Sequence, residues 1–268
     1  MTGSLQTALD RFASDYAAHR AAEGRRHDRE ELLRLPWLET GPFARQWAVR
    51  ARTFETFVAR VVDPMTRRAA RPLRILDLGA GSGWLCHRLV RRGHECVAVD
   101  IREDSVDGLG AAEAFVDHAR FERLVAPFDV LPVSGSFADI ALFNAALHYA
   151  TDLGAALTEA ARVTRSGGTI AVLDSPFYRD EAEGEAMVAE KHARAAERFG
   201  ERADSLLALP FIEYLTADRL ARASAPLGLQ WRRRRVRYPL WYELRPLAAR
   251  WRRQRVPSRF DLWTAEVP

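Results

Sequence analysis

The chain has 268 residues, of which 48% are hydrophobic and 28% charged, and its formal net charge at pH 7 is +4. This is the composition of an ordinary globular protein that can bury a full core as one large domain. It has no run approaching the roughly 18 apolar residues that a membrane-spanning helix needs, so we expect no contact with a membrane.

The N-terminus lacks a basic segment followed by an apolar stretch, as a secretory signal would show, and we therefore expect a cytoplasmic protein. Of the 40 basic residues only Lys191 is a lysine. So lopsided a ratio, together with abundant alanine, favours a GC-rich genome over a nucleic-acid surface as its cause. The 36 acidic residues are interleaved with the arginines, and we expect most arginines to pair with them. Cys86 and Cys96 have no metal-ligand spacing, so we expect reduced core thiols and no metal site.

The first 71 residues are predicted to be mostly helical. Apolar side chains recur at helical spacing from Leu5 through Leu9, Phe12 and Tyr16, and a break is predicted around residues 36–42. Residues 46–54 precede the first predicted strand. We assign residues 1–71 to an N-terminal helical cap.

The most informative segment is residues 74–85. A short apolar run ends near Asp77, glycines follow at Gly79, Gly81 and Gly83, and an apolar helical pattern then resumes. This pattern predicts a strand, a tight turn and a helix. The glycines permit a positive φ and let a ligand approach without a Cβ in the way.

A second acidic residue stands at the end of the next predicted strand. Asp100 closes the apolar run 95–101, and it lies 23 positions after Asp77. Nucleotide-binding α/β units place an acid that binds ribose hydroxyls at about this separation. The glycines here follow G-x-G-x-G, whereas the dinucleotide fingerprint is G-x-G-x-x-G.

These features resemble motif I of the class I S-adenosylmethionine (SAM)-dependent methyltransferases, and residues 126–133 and 136–149 resemble segments of their methyltransferase type 11-like family. The resemblance implies that SAM is the cofactor and S-adenosylhomocysteine the product. It implies that Asp77 binds the methionyl amino group, often through water, and that Asp100 binds the ribose diol. The remaining implied cofactor contacts are Gly79, Ala80, Gly81, Gly83, Trp84, Ile101, Phe128, Asp129, Asn144 and Ala145.

Within that set, the resemblance implies that Asp129 binds the exocyclic amine of the adenine and that the backbone N–H of Phe128 contacts the adenine ring. It implies that Asn144 and Ala145 lie beside the methionyl group. In relatives a helix before the first strand folds over the cofactor, which makes Arg50 a candidate for the methionyl carboxylate. Trp47 on the same helix is a candidate substrate contact, and surface packing is the alternative for both.

The resemblance implies an α/β Rossmann-like fold with a mostly parallel seven-stranded sheet and an antiparallel edge hairpin. Residues 72–175 would form the SAM-binding core. Residues 176–268 would add a helical lid at 181–209 and the last two strands at 229–238 and 259–266.

An arginine cluster lies in the C-terminal part of the chain, at Arg232–Arg235, Arg237, Arg250, Arg252, Arg253 and Arg255. Its arginines either protect the edge strand from pairing with another chain or bind an acidic substrate, tail or RNA. The edge-strand interpretation is favoured.

Methyl transfer from a sulfonium needs positioning of the acceptor and exclusion of water. His148 is the candidate general base because its intrinsic pKa lies near neutrality, and Tyr149 would orient the acceptor; a role for His148 in the pocket wall is the alternative. Phe177, Tyr178 and Tyr214 are candidate acceptor contacts, with Phe211, Trp241 and Tyr242 as further aromatics of the outer wall. Plain core packing is the alternative for these aromatics.

The sequence therefore predicts a SAM-dependent methyltransferase that acts on a small molecule, with secondary metabolism as one setting, rather than on nucleic acid. Two alternatives stay open, a non-methylating reaction such as cyclisation on the same fold and an RNA or protein methyltransferase. The acceptor and the oligomeric state are not predicted.

Overall fold

The computed structural model describes residues 2–268, with side chains from residue 7 onward, so the side chain of Leu5 lies outside the described residues. The α-helices are α1 Thr2–Ala22, α2 Arg29–Arg34, α3 Ala44–Phe57, α4 Asp63–Ala69, α5 Trp84–Val90, α6 Leu153–Val163, α7 Glu181–Ala193, α8 Ala195–Phe199, α9 Ala203–Leu207, α10 Ala217–Ser224, α11 Leu240–Glu243 and α12 Arg245–Trp251. The strands are β1 Arg74–Leu78, β2 Glu95–Asp100, β3 Glu122–Val125, β4 Ala138–Asn144, β5 Thr164–Leu173, β6 Arg232–Arg234 and β7 Leu262–Glu266.

The strands form one seven-stranded sheet in the order β3-β2-β1-β4-β5-β7-β6. Strands β1 to β5 run parallel, and β7 pairs antiparallel with both β5 and β6. This confirms the predicted mostly parallel α/β sheet with an antiparallel hairpin at its edge. All seven residues of β4 are buried, as expected for a central parallel strand that is covered by helices on both faces.

The fifth strand contains a glycine pair near its start. β5 begins at Thr164, and Gly167 and Gly168 follow within it. Its pairing with β4 shifts register between Ala138 and Ile140. The glycines are therefore absorbed as an irregularity of the strand, with Gly167 at φ +69°.

Helix α1 packs against the lid helices. Phe12 shares a buried cluster with Phe199 of α8, Leu206 of α9 and Leu209 after it. The predicted helical lid between residues 181 and 209 is present as α7, α8 and α9. The N-terminal segment and the lid therefore form one layer, although the division of the chain into three parts stays a prediction.

The last two strands are shorter than predicted. β6 covers three residues, because Val236 already donates its N–H to the side chain of Asp261 and Pro239 then precedes α11. β6 is the edge strand, as the arginine pattern indicates. Two of its arginines bind within the chain, Arg233 to Asp261 and Arg234 to Thr264.

Cys86 and Cys96 are free and buried. In the described part of the chain no helix is both long and apolar enough to cross a membrane.

Candidate active site

A cavity of about 410 Å³ opens at the carboxyl ends of β1, β2 and β4. Parallel α/β sheets bind ligands at this edge. Its walls come from four parts of the chain: helices α1 and α3, the glycine turn with the end of β2, the loop after β3, and the segment after β4. The lining residues are Leu9, Phe12, Tyr16, Arg20, Trp47, Arg50, Gly79, Ala80, Gly81, Ser82, Trp84, Asp100, Ile101, Arg102, Asp107, Pro127, Phe128, Asp129, Val130, Asn144, Ala145, Ala146, Tyr149, Ala150, Thr151 and Phe211.

The glycine turn is held against the end of β2. The N–H groups of Gly79 and Ala80 both donate to the carbonyl oxygen of Val99, at 2.8 and 2.9 Å. Gly79 has φ +80°, and a Cβ at this position would collide with the side chain of Ala146. The turn therefore requires glycine here both for its conformation and for the close approach of the segment after β4.

Asp100 faces the cavity from the end of β2. Its Oδ2 accepts the N–H of Gly81 at 2.8 Å, and its Oδ1 accepts the N–H of Arg102 at 2.9 Å. Burial raises the pKa of Asp100, against the opposing charge of Arg102. Both oxygens keep a free lone pair, so the fixed carboxylate can accept two hydroxyl donors.

Asp77 lies behind the glycine turn and does not line the cavity. It is fully buried; its Oδ1 has no hydrogen-bond partner, and its Oδ2 lies 3.8 Å from the Cys86 sulfur. Burial, together with the charge of Asp100, raises the pKa of Asp77 to about 8. An unpartnered buried carboxyl of this kind fits a site that gains a cationic partner with the ligand.

Asn144 lies at the carboxyl end of β4 and lines the cavity. It is buried, and its Oδ1 has no hydrogen-bond partner. The next residue, Ala145, has φ +56° and donates its N–H to Leu173. The amide of Asn144 is therefore an unsatisfied acceptor in the cavity wall.

Helix α3 contributes Trp47 and Arg50 to the cavity. Trp47 is buried edge-to-face against Trp84, and the Arg50 guanidinium lies 4.9 Å from the Trp47 ring centroid. In the described part of the chain Arg50 forms no ion pair, so its charge is available to an anionic group in the cavity.

The loop after β3 contributes Phe128 and Asp129, and Ile101 follows β2 into the same wall. The Phe128 ring packs edge-to-face on Phe143 at 5.5 Å. No other described residue makes a hydrogen bond or ion pair with the Asp129 carboxylate. Phe128 and Asp129 are the residues to which the resemblance assigns the adenine.

His148 and Tyr149 occupy different environments. Burial lowers the pKa of His148 to about 3, with Lys191 and Arg50 acting in the same direction. His148 does not line the cavity, which argues against both its predicted role as general base and the alternative role in the pocket wall. Tyr149 lines the cavity, and its hydroxyl lies 3.1 Å from that of Tyr16.

Four further predicted site residues lie outside the cavity lining. A Cβ at Gly83 would meet the ring of Phe121, so this glycine serves packing of the turn. Phe177 stacks on Trp263 at 4.8 Å, Tyr178 binds Arg255, and Tyr214 packs on Gly184. These aromatics fill the space between the lid and the last strands, which is the core packing that the sequence left as their alternative.

The sequence prediction missed the contribution of α1. Phe12, Tyr16, Tyr149 and Phe211 form an aromatic wall with ring centroids 4.8 to 6.3 Å apart. The helical spacing of Leu9, Phe12 and Tyr16 was visible, but spacing alone does not say what a helix covers.

A charged group beside this wall was also missed. Arg20 binds Asp107 at 2.7 Å, and Arg102 donates to the Asp107 carbonyl at 2.7 Å. The guanidiniums of Arg20 and Arg102 lie 5.7 and 5.0 Å from the centroid of the Tyr16 ring. Arg102 thereby connects α1 to Asp100. Among the described residues no group of three potential ligands could hold a metal ion.

Comparison with known proteins is consistent with this geometry. Residues 76–172 match the model of a methyltransferase domain family. The chain is 35% identical over 118 residues to an uncharacterized methyltransferase of Mycobacterium tuberculosis, covering 44% of this chain and 45% of that one. It is 26% identical over 180 residues to a ubiquinone biosynthesis O-methyltransferase of Sinorhizobium medicae, covering 64% and 66%. The chain thus spans just under half the length of the mycobacterial relative.

Solved structures share the fold. The CurJ carbon methyltransferase superimposes with a TM-score of 0.55 at 14% identity, covering 87% of this chain and 57% of that one. The YcgJ protein of Bacillus subtilis gives 0.52 at 18% identity, covering 77% and 98%. The family match shows that the chain contains a methyltransferase domain at residues 76–172, and the solved structures show that it shares their fold.

Proposed function

We propose that this chain binds SAM in the cavity and transfers its methyl group to a small-molecule acceptor. The observation that carries the proposal is the joint presence, in one cavity, of the glycine turn, the fixed carboxylate of Asp100 and the unsatisfied amide oxygen of Asn144. Each matches a different part of the cofactor.

The polar groups of the cavity fit SAM by their chemistry. Asp100 offers two acceptor oxygens to the ribose diol, and Asp129 offers a carboxylate to the adenine amine. Asn144 offers an acceptor to the methionyl amino group, which Asp77 would reach through water behind the turn. Arg50 offers a charge to the methionyl carboxylate.

The sulfonium supplies the reactivity when the cofactor is bound, and the protein has to bring the acceptor into line and exclude water. Helix α1 and the segment after β4 cover the cavity with the aromatic wall. Flat apolar faces of this kind favour an acceptor with a planar ring. The name of the Sinorhizobium relative, a biosynthetic O-methyltransferase, supports a small-molecule acceptor of this type.

The acceptor must also lose a proton if it is a hydroxyl or an acidic carbon. Among the described residues no histidine lines the cavity, and the low pKa of His148 makes it a weak base. We therefore favour an acceptor that is nucleophilic without enzymatic deprotonation, such as an acidic phenol or an amine. A setting in secondary metabolism and a cytoplasmic location remain part of this proposal.

The alternative function, methylation of RNA or protein, is supported only by the C-terminal arginines. None of the arginines from Arg232 to Arg255 lines the cavity, so we favour the small molecule. No structural observation specifically favours the other alternative, a non-methylating reaction. Analysis of the products distinguishes it from methyl transfer.

The test is incubation of the purified chain with methyl-labelled SAM and a panel of phenols, catechols and aromatic amines. We expect S-adenosylhomocysteine and a labelled acceptor in equal amounts, and smaller amounts of both with Asp100→Ala, because this variant should bind SAM more weakly. Conversion of an acceptor without consumption of SAM would favour the non-methylating reaction. Labelling of added RNA or protein but of no small molecule would overturn the proposed acceptor class.

A further inference from the structure

Helices α11 and α12, with Leu244 between them, expose the large apolar side chains Leu240, Leu244, Leu247 and Trp251. Their exposed fractions are 79%, 53%, 64% and 84%. Leu247 and Trp251 are four residues apart on α12 and therefore lie on one side of that helix. Tyr242 and Ala249 are the buried residues of these helices. We call these four side chains the exposed row.

The exposed row has no cover in the described part of the chain. Contiguous exposed apolar surface on a globular protein marks a contact with another partner or with a membrane. The row protrudes from a helix rather than lining a groove, since most of the surface of Leu240 and Trp251 is exposed. Its occupant must therefore accept protruding side chains.

Unpaired positive charge flanks the exposed row. Arg237 precedes it, and Arg250, Arg252 and Arg253 surround or follow Trp251; all four are exposed. In the part of the chain that the structure describes, none of them forms an ion pair. Between residues 232 and 256 Glu243 is the only acidic residue against ten arginines, and Arg259 already binds it at 2.9 Å. The occupant should therefore be anionic.

We propose that residues 240–253 dock this protein on the surface of an anionic lipid bilayer. The exposed row would enter the boundary between headgroups and acyl chains, and the flanking arginines would contact lipid phosphates. Trp and Arg at one helical surface suit such a boundary because each has an apolar part and a polar end. Since no described helix could span a membrane, the contact would be peripheral, and it modifies the expectation of no membrane contact.

RNA and an acidic protein are less suited to these features. RNA would bind the arginines but gains little from a row of leucines. A protein partner would have to offer a preformed groove to the protruding row. A bilayer accepts protruding apolar side chains without such a groove, and its phosphates match the arginines.

The test is flotation of the purified full chain with vesicles of phosphatidylcholine alone or mixed with phosphatidylglycerol. We expect binding to the mixed vesicles and little to the neutral ones. Arg250→Gln/Arg252→Gln/Arg253→Gln should weaken partitioning by roughly tenfold or more at moderate salt. Leu247→Ser/Trp251→Ser should weaken it by about tenfold or more even at high salt, where charges are screened.

Matched controls separate these effects from general ones. Arg60→Gln/Arg67→Gln/Arg68→Gln removes three exposed arginines elsewhere, and Val125→Ser removes an exposed apolar side chain from the sheet edge. Both should partition like the wild type. Circular dichroism and titration with S-adenosylhomocysteine check that every variant is folded.

Three results would overturn the proposal. The first is absence of wild-type binding to either vesicle. The second is sedimentation that shows self-association abolished by Leu247→Ser/Trp251→Ser, because the row would then be a dimer interface. The third is binding of RNA that needs the arginines while vesicle binding is unaffected by both sets of variants.

Discussion

At the scale of single residues, Asp77 and Asp100 show how two nearby carboxyl groups acquire different chemistry. Both are buried at the ends of neighbouring strands, but Asp100 accepts two backbone N–H groups whereas Asp77 Oδ1 accepts none. The pKa of Asp77 is about 8, so it is protonated at neutral pH when the cavity holds no cation. If Asp77 pairs with a cationic group of the ligand, as proposed, that pairing depends on pH.

Binding of SAM is expected to strengthen as the pH rises from 6 toward about 8. Below the pKa of about 8 Asp77 must release a proton to pair with a cationic amino group, so affinity should rise by up to about tenfold per pH unit. Calorimetry at pH 6.5 in buffers of different ionisation enthalpy measures this release directly. Asp77→Asn, which cannot ionise, should remove the pH dependence; its persistence in that variant would assign the proton to another group.

His148→Ala is expected to lower turnover by less than about tenfold, because a base with a pKa of about 3 has little driving force near neutrality. Steady-state kinetics with a saturating acceptor measures the effect. A matched substitution, Tyr149→Phe, keeps the ring in the aromatic wall and removes only the hydroxyl. A loss of a hundredfold or more with His148→Ala would restore its role as general base.

Much of the polar part of the site could be predicted from sequence, because it lies next to strand ends. Asp100 and Asn144 each close a buried strand, so their place at the carboxyl edge follows from the apolar pattern before them. Tyr16 and Arg20 could not be predicted in this way, since they reach the cavity from a helix far away in the chain. The low pKa of His148 depends on burial beneath the lid, which local sequence does not reveal.

At the scale of elements, the glycine turn joins conformation to close packing. Gly79 and Gly93 both have positive φ, but only Gly79 would place a Cβ against another group, the side chain of Ala146. Substitution by alanine would therefore strain the backbone at both positions, but only at Gly79 would the added Cβ also collide with a neighbouring side chain.

Gly93→Ala is expected to lower the free energy of unfolding by about 1–2 kcal/mol, the cost of a left-handed conformation, and to leave ligand affinity unchanged. Gly79→Ala should cost more and should weaken S-adenosylhomocysteine binding by roughly tenfold or more, because the turn must move from the cavity. Chemical denaturation and calorimetry measure the two effects. Indistinguishable variants would contradict the packing role of Gly79.

Element boundaries were predictable where apolar periodicity was strong and not where glycines or arginines interrupted it. The lid helices between residues 181 and 209 follow from composition and helical spacing. β5 begins before its Gly-Gly pair because pairing with β4 tolerates the irregularity. β6 ends at Arg234 because the Asp261 side chain replaces a strand partner for Val236, a tertiary contact that local sequence cannot indicate.

At the scale of the whole molecule, the two ends of the parallel strands differ in chemistry. The cavity lies at their carboxyl ends, and a charge cluster around Asp139 lies at the opposite end, at the start of β4. Arg71 and Arg165 bind this buried carboxylate at 2.8 and 2.6 Å, and Arg74 donates its backbone N–H at 2.8 Å. The cluster connects the strands far from the site.

Asp139→Asn is expected to lower the free energy of unfolding by about 1–3 kcal/mol, since both arginines are partly exposed and screened, with no change in SAM affinity. Although burial opposes it, hydrogen bonding from Arg71 and Arg165 lowers the pKa of Asp139 to about 2. Its stabilisation is thus present above the unfolded carboxyl pKa near 4 and is lost as the pH falls toward about 2. Denaturation at pH 7 and pH 3 measures both effects; an equal deficit of the variant at both pH values would refute the ionic account.

The proposed function requires that the cavity bind SAM through the groups at the strand ends. Calorimetric titration of the folded protein, stripped of carried-over ligand, with SAM and with S-adenosylhomocysteine measures this binding. We predict micromolar binding of both ligands, weakened by about 1.5–3 kcal/mol in Asp100→Ala and unchanged in Asp218→Ala, which removes an exposed carboxylate elsewhere. Absence of binding by either ligand, or equal affinity in both variants, would contradict the account.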